Sequence, residues 1–148
     1  IKINRVSVVK KLLLVVCLLS PLSGCSLYSS ALSDSVTTHY ALTHAIASEA
    51  NPLLPQNAAG AAVGSLAVKL GVSYAAREYA SPENCTSIVR SVTAAGAGAA
   101  VNNLLIIAGV AEGGLPIVAG IALGLWNYKA GKDSAQSFCK KDKTSHII

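Results

Sequence analysis

Glu83–Tyr128, ENCTSIVRSVTAAGAGAAVNNLLIIAGVAEGGLPIVAGIALGLWNY, is the stretch that decides the fold. It carries no charge between Arg90 and Glu112 and is rich in Ala, Leu, Ile and Val. It is punctuated once, at Gly113-Gly114 followed by Pro116. Ala and Leu favour helix, and paired glycines with a proline stop one. The pattern predicts a helix over about Glu83–Val110 and another over about Leu115–Tyr128, with room to continue toward Ala135. Upstream, Ser81-Pro82 ends an earlier helix over about Ala58–Ala80, and Pro52–Asn57 reads as a turn. Asn51-Pro52 closes a first helix over about Asp34–Ala50, because the residue before proline is pushed out of the helical region. Strand signals are nearly absent. The chain therefore reads as all-α, a small Ala/Gly-rich bundle of about four helices within residues 34–139, followed by a basic tail at 140–148.

The helical hairpin makes a geometric prediction about two cysteines. Cys85 lies 28 residues before Gly113, and Cys139 lies 25 residues after Gly114. At about 1.5 Å per residue both arms run roughly 40 Å, so an antiparallel pair brings the two thiols to the same end. In an oxidising compartment they are expected to form a disulfide.

Ahead of the bundle stands a segment of another kind. Arg5, Lys10 and Lys11 precede the aliphatic run Leu12–Leu19, which is too short to span a bilayer, and Leu22-Ser23-Gly24-Cys25 follows. This order resembles the lipobox signal of bacterial lipoproteins. The resemblance implies cleavage after residue 24, a lipid on the Cys25 thiol and attachment to the lipid bilayer through it. Residues 1–24 are then a signal peptide and residues 25–33 a lipidated, polar tether. In such proteins Ser rather than Asp at position 26 implies export to the outer membrane, with the domain on the periplasmic face. Four of the twelve basic residues lie at positions 2, 5, 10 and 11, which leaves eight against seven acids in the remainder. A nearly neutral remainder gives nucleic-acid binding no electrostatic basis.

The first predicted helix holds most of the polar candidates: Asp34, Thr37, Thr38, His39, His44, Ser48 and Glu49. Asp34, Thr38, Ala41, Ala45, Ser48 and Glu49 share one face, and Leu32, Val36, Tyr40, Thr43, Ile46 and Ala47 lie opposite. That face is either a solvated surface or a polar site turned into the bundle. His39 and His44 are five apart and diverge around the helix, so they do not form a chelating pair; no metal or cofactor is expected. Asp34-x-x-x-Thr38 with Glu49-Ala50-Asn51-Pro52-Leu53 resembles the first-helix signature of small, uncharacterised helical membrane proteins. That likeness, over residues 34–53, implies that the later helices enter a bilayer.

Gly60-x-x-x-Gly64 and Gly120-x-x-x-Gly124 are small-xxx-small pairs, and Ala94–Ala100 is entirely Ala and Gly. Such faces let helix backbones approach closely. Lys69, Arg90, Asn102, Asn103 and Asn127 interrupt the apolar helices, and inside lipid each needs a partner or a cavity. No nucleophile elbow, phosphate loop or Cys/His couple occurs, so catalysis is not expected. The sequence favours a structural or protein-interaction lipoprotein with a protein partner or a second copy of itself. A membrane-embedded exclusion or immunity factor is the alternative, and a small periplasmic enzyme is the weakest reading. Three crossings by the later helices would place Cys85 and Cys139 in the reducing cytoplasm. An external domain would expose them to oxidation, and the sequence favours that arrangement.

Overall fold

A computed structural model of the chain describes residues 26–44, 46, 48, 54–110 and 114–140. Five helices and no strand occur among the described residues: α1 Leu27–Thr43, α2 Ala58–Tyr79, α3 Pro82–Ile107, α4 Leu115–Ala130 and α5 Lys132–Cys139. The starts follow local chemistry. Ser26, Asn57 and Ser81 each accept a backbone N–H of the first turn with their side chains, and Pro82 sits where a missing N–H costs nothing. Gly114 precedes α4 with φ +73°, a left-handed backbone that disfavours a side chain.

Three sets of contacts fix the topology. Tyr28 meets Tyr74, and Ser35 donates to the Ala62 carbonyl, so α1 and α2 are antiparallel. Ser30 lies against Gly96 and Asn103 reaches Thr38, so α1 and α3 are parallel. Arg90 reaches the Tyr128 carbonyl and Gly98 faces Gly120, so α3 and α4 are antiparallel. One end of the bundle, the head, thus gathers the start of α1, the α2–α3 junction and the end of α4 with α5. The far end gathers the end of α1, the start of α2, the end of α3 and the start of α4.

Helix α3 is the axis, packed on each of the other four helices. Two of its faces are glycine. A Cβ on Gly96 would stand 3.1 Å from the Ser30 carbonyl oxygen of α1, and one on Gly98 only 2.6 Å from that of Gly120 on α4. The interior is built mainly from small side chains such as Ala31, Ala61, Ala97 and Ala100. At the head, Leu27, Ala76, Cys85, Val89, Ala135 and Cys139 form an apolar cluster.

Several boundaries differ from the sequence reading. The 26–33 part of the expected tether is the first two turns of α1, with Leu27, Ser30 and Ala31 buried. Its serines look like a linker, but Ser26 caps the helix and Ser30 Oγ donates to the Leu27 carbonyl at 3.0 Å. Helix α1 ends at Thr43 rather than near Ala50, with His44 as its C-cap. The last helix does not run on toward Ala135 but breaks at Gly131, and a separate α5 carries Cys139. Residues 1–25 (with the signal and Cys25), Glu49–Leu53 of the membrane-protein signature, and the 141–148 part of the tail lie outside the described residues.

Candidate functional site

The polar face of α1 turns inward. Asp34 is 4% exposed, Ser30, Ser35 and Thr37 are buried with it, and Leu32 and Val36 point out of the bundle. For Asp34, Thr38 and Ala41 of that face the structure has the interior reading; Ser48 is exposed, and residues 45 and 49 lie outside the described residues. Asp34 Oδ2 pairs with Lys69 Nζ and accepts a hydrogen bond from Ser65 Oγ at 2.9 Å. Lys69 also donates to Ser65. From α3, Asn103 Nδ2 donates to Thr38 Oγ1 at 3.0 Å and to Thr37 Oγ1 at 3.3 Å, and reaches Asp34 Oδ1 at 3.4 Å. One carboxylate thus ties three helices together. A buried charge is tolerable only when paired and hydrogen-bonded, and both conditions hold here.

His39 and His44 are not part of this cluster. Both are exposed, and His44 stacks on Tyr40 at 4.1 Å between ring centroids. Among the described residues no group of three His, Cys, Asp or Glu side chains converges to hold a metal.

The second assembly is the head. Cys85 and Cys139 stand at disulfide distance, Cα–Cα 5.9 Å across a sequence separation of 54, as the hairpin geometry predicts. Phe138 packs against their cluster and meets Tyr28 and Tyr74 edge to face, and Tyr28 and Tyr74 share a hydrogen bond of 2.6 Å. Arg77 lies 5.5 Å over the Phe138 ring, and Arg90 lies 4.0 Å over the Tyr128 ring while donating to the Tyr128 carbonyl. Beside Cys139 opens a cleft of about 810 Å³ lined by Arg77, Glu83, Thr86, Gln136 and Lys140.

The two glycine pairs have different neighbours. Gly120 and Gly124 do face α3, where added Cβ atoms would stand 2.7 and 3.0 Å from the carbonyl oxygens of Gly98 and Ala94. Among the described residues, the nearest neighbours of Gly60 and Gly64 are Pro55, Asn57 and Leu54 in the segment leading into α2, and none belongs to another helix. The expectation that Gly60 and Gly64 pack a helix is therefore corrected. A proline-containing entry segment folds back over the first turns of α2 and occupies that space. The polar partners that sequence reading left unassigned are Lys69 and Asn103, whose common acceptor is Asp34.

No known protein family, curated protein or solved structure matches the chain.

Proposed function

We propose that the chain is a non-enzymatic, lipid-anchored component of a bacterial cell envelope, which holds a small helical head at the membrane surface for a protein partner. One observation carries this reading. Leu27, two residues beyond the lipobox cysteine, is buried in the same apolar cluster as Cys85 and Cys139. A lipid on Cys25 would thus be joined to the head with almost no slack, and the head would lie against the bilayer. The cleft beside Cys139, with both signs of charge on its rim, suits contact with a polar protein surface. The buried cluster supports a non-catalytic role, since each of its groups is used in tying helices together.

A membrane-embedded exclusion or immunity factor is the second reading, and the outward apolar faces of α2 and α4 favour it. Location separates them in part. Ser26 in place of Asp favours passage to the outer membrane, whereas apolar outer faces favour retention in the inner one.

The test is metabolic labelling with a clickable palmitate analogue, followed by separation of inner and outer membranes. Label on the wild-type chain, and its loss with an uncleaved precursor in Cys25→Ser, is the expected result. Equal labelling of Cys25→Ser, or none of the wild type, would sink the lipoprotein reading.

A further inference from the structure

The bundle leaves many of its large apolar side chains on the outer surface while its interior of small apolar residues also holds several polar ones, and its charges are sorted by height. Helix α4 presents Leu115, Ile117, Val118, Ile121, Leu125 and Trp126 outward, each more than half exposed. Helix α2 presents Val63, Val68 and Val72, and α1 presents Leu32 and Val36. The groups that are buried include Ser30, Asp34, Ser35, Thr37, Ser73 and Thr93. Water drives the opposite arrangement, because burying an apolar side chain is favourable and burying a polar one is costly. A monomer in water seldom leaves so large a contiguous apolar face open.

The charges add an independent observation. Apart from the Asp34–Lys69 pair, every described charged residue lies in Arg77–Glu83, at Arg90 or in Lys129–Lys140, all at the head. Six of the seven aromatic residues, including Trp126, Tyr79 and Tyr128, lie in the head half as well; only Tyr40 does not. Among the described residues, none below that belt carries a charge except the buried Asp34–Lys69 pair. Trp and Tyr collect at membrane interfaces, where a ring can be half in lipid and half in water. Helix α2 has 22 residues, about 33 Å of helix against about 30 Å of hydrocarbon. It is long and apolar enough to cross a membrane, and only 17% of its most apolar window is buried inside the protein. A core helix of a water-soluble bundle would be mostly covered. With 16 and 17 residues, about 24 and 26 Å, α4 and α1 are both short, α2 alone among the described helices being long and apolar enough by itself, and the two require a locally thinned bilayer.

We infer that the bundle is itself inserted in the inner membrane, lipid acyl chains covering the outward faces of α1, α2 and α4, with the head at the external surface. Helix α1 runs the length of the bundle, so the chain passes four times rather than three. Four passes return Cys85 and Cys139 to the side on which Cys25 lies. Insertion and an oxidised pair are then compatible, whereas three passes would have set them against each other. Two features choose the side. The basic n-region before Leu12–Leu19 stays in the cytoplasm and sends Cys25 outward, and the juxtaposed thiols suit an oxidising compartment. The head's basic residues, Arg77, Arg90, Lys129, Lys132 and Lys140, oppose this, and the first segment outweighs them in setting orientation. Insertion does not depend on acylation of Cys25.

The test uses the full chain in spheroplasts, with Cys17→Ser, Cys25→Ser and single added thiols. A membrane-impermeant maleimide should label Ser137→Cys from outside at once, and Gln56→Cys only after permeabilisation. A carbene probe dissolved in the bilayer should label α2 and α4 on their outward faces, Ile117, Ile121 and Val68 included. Labelling of both thiols from outside, or no carbene label on α4, would overturn insertion in favour of an external domain or a second copy covering the face. Gln56→Cys labelled from outside and Ser137→Cys only from inside would overturn the orientation. Absence of palmitate on the wild-type chain together with the expected thiol pattern would remove the lipoprotein reading and leave the insertion standing.

Discussion

Gly98 and Gly120 meet backbone to backbone: a Cβ on the first would lie 2.6 Å from the second's carbonyl oxygen, and a Cβ on the second 2.7 Å from the first's. Neither obstacle is the end of a flexible side chain, so only moving α3 and α4 apart makes room. Gly120→Ala and Gly98→Ala should each destabilise the bundle by about 1–3 kcal/mol, the usual cost of overpacking. Gly71 is the internal comparison, because it lies in the middle of α2 and a Cβ there would meet nothing within 4 Å. Gly71→Ala should be neutral or stabilising by up to about 1 kcal/mol through helix propensity. Thermal unfolding in detergent, with all three variants compared, would read the difference. A Gly120→Ala protein as stable as Gly71→Ala would refute the close approach.

Asp34 and Lys69 make the second prediction. Read as part of a solvated face, Asp34→Asn would be silent; buried against Lys69, it leaves an ammonium group without its counter-charge. Breaking a buried pair by removing one partner costs about 3–5 kcal/mol, while replacing both with apolar groups can be close to neutral. Asp34→Asn and Lys69→Met should each lower the unfolding temperature by many degrees, and Asp34→Leu combined with Lys69→Met should recover most of the loss. Exposed His39 should tolerate alanine. Single losses that simply add in the double variant would show that the two residues are not coupled.

The hairpin of α3 and α4 was legible because its signals are local: Ser81-Pro82 opens α3, and glycine with Pro116 opens α4. The start of α1 was not, because Ser26, Ser29, Ser30 and Ser33 resemble a linker in composition. Three of these hydroxyls are in fact committed to helix, Ser26 to the cap, Ser29 to the Ser26 carbonyl and Ser30 to the Leu27 carbonyl. Lys69 and Asn103 could be recognised as polar groups in need of partners, but not matched. Asn103 is 69 residues from Asp34, and only the parallel register of α1 and α3 brings them together. The inward turn of Asp34 was invisible for a further reason. Amphipathic periodicity tells which residues share a face and not which face is buried, and on α1 the large apolar Leu32 and Val36 point outward while Asp34 is buried.

Cys85 and Cys139 supply the last prediction. They close a loop across 54 positions between the first turn of α3 and the end of α5. In the chain-entropy account a link of that span stabilises the fold by about 4 kcal/mol, a large part of a small domain's total. The bond also holds α5 over the head, where Phe138 meets Tyr28 and Tyr74. Purified chain should have an intact mass two hydrogens below that of its reduced form, and reductant should lower its unfolding temperature. Cys85→Ser should reproduce the reduced protein and show no response to reductant. Loss should be local before it is global: α5 contacts chiefly α3, so hydrogen exchange at Asp133–Cys139 should rise before exchange in α3 or α4. Two freely alkylated thiols in native membranes would place the head in a reducing compartment, and uniform exchange on reduction would show that α5 is held by its packing alone.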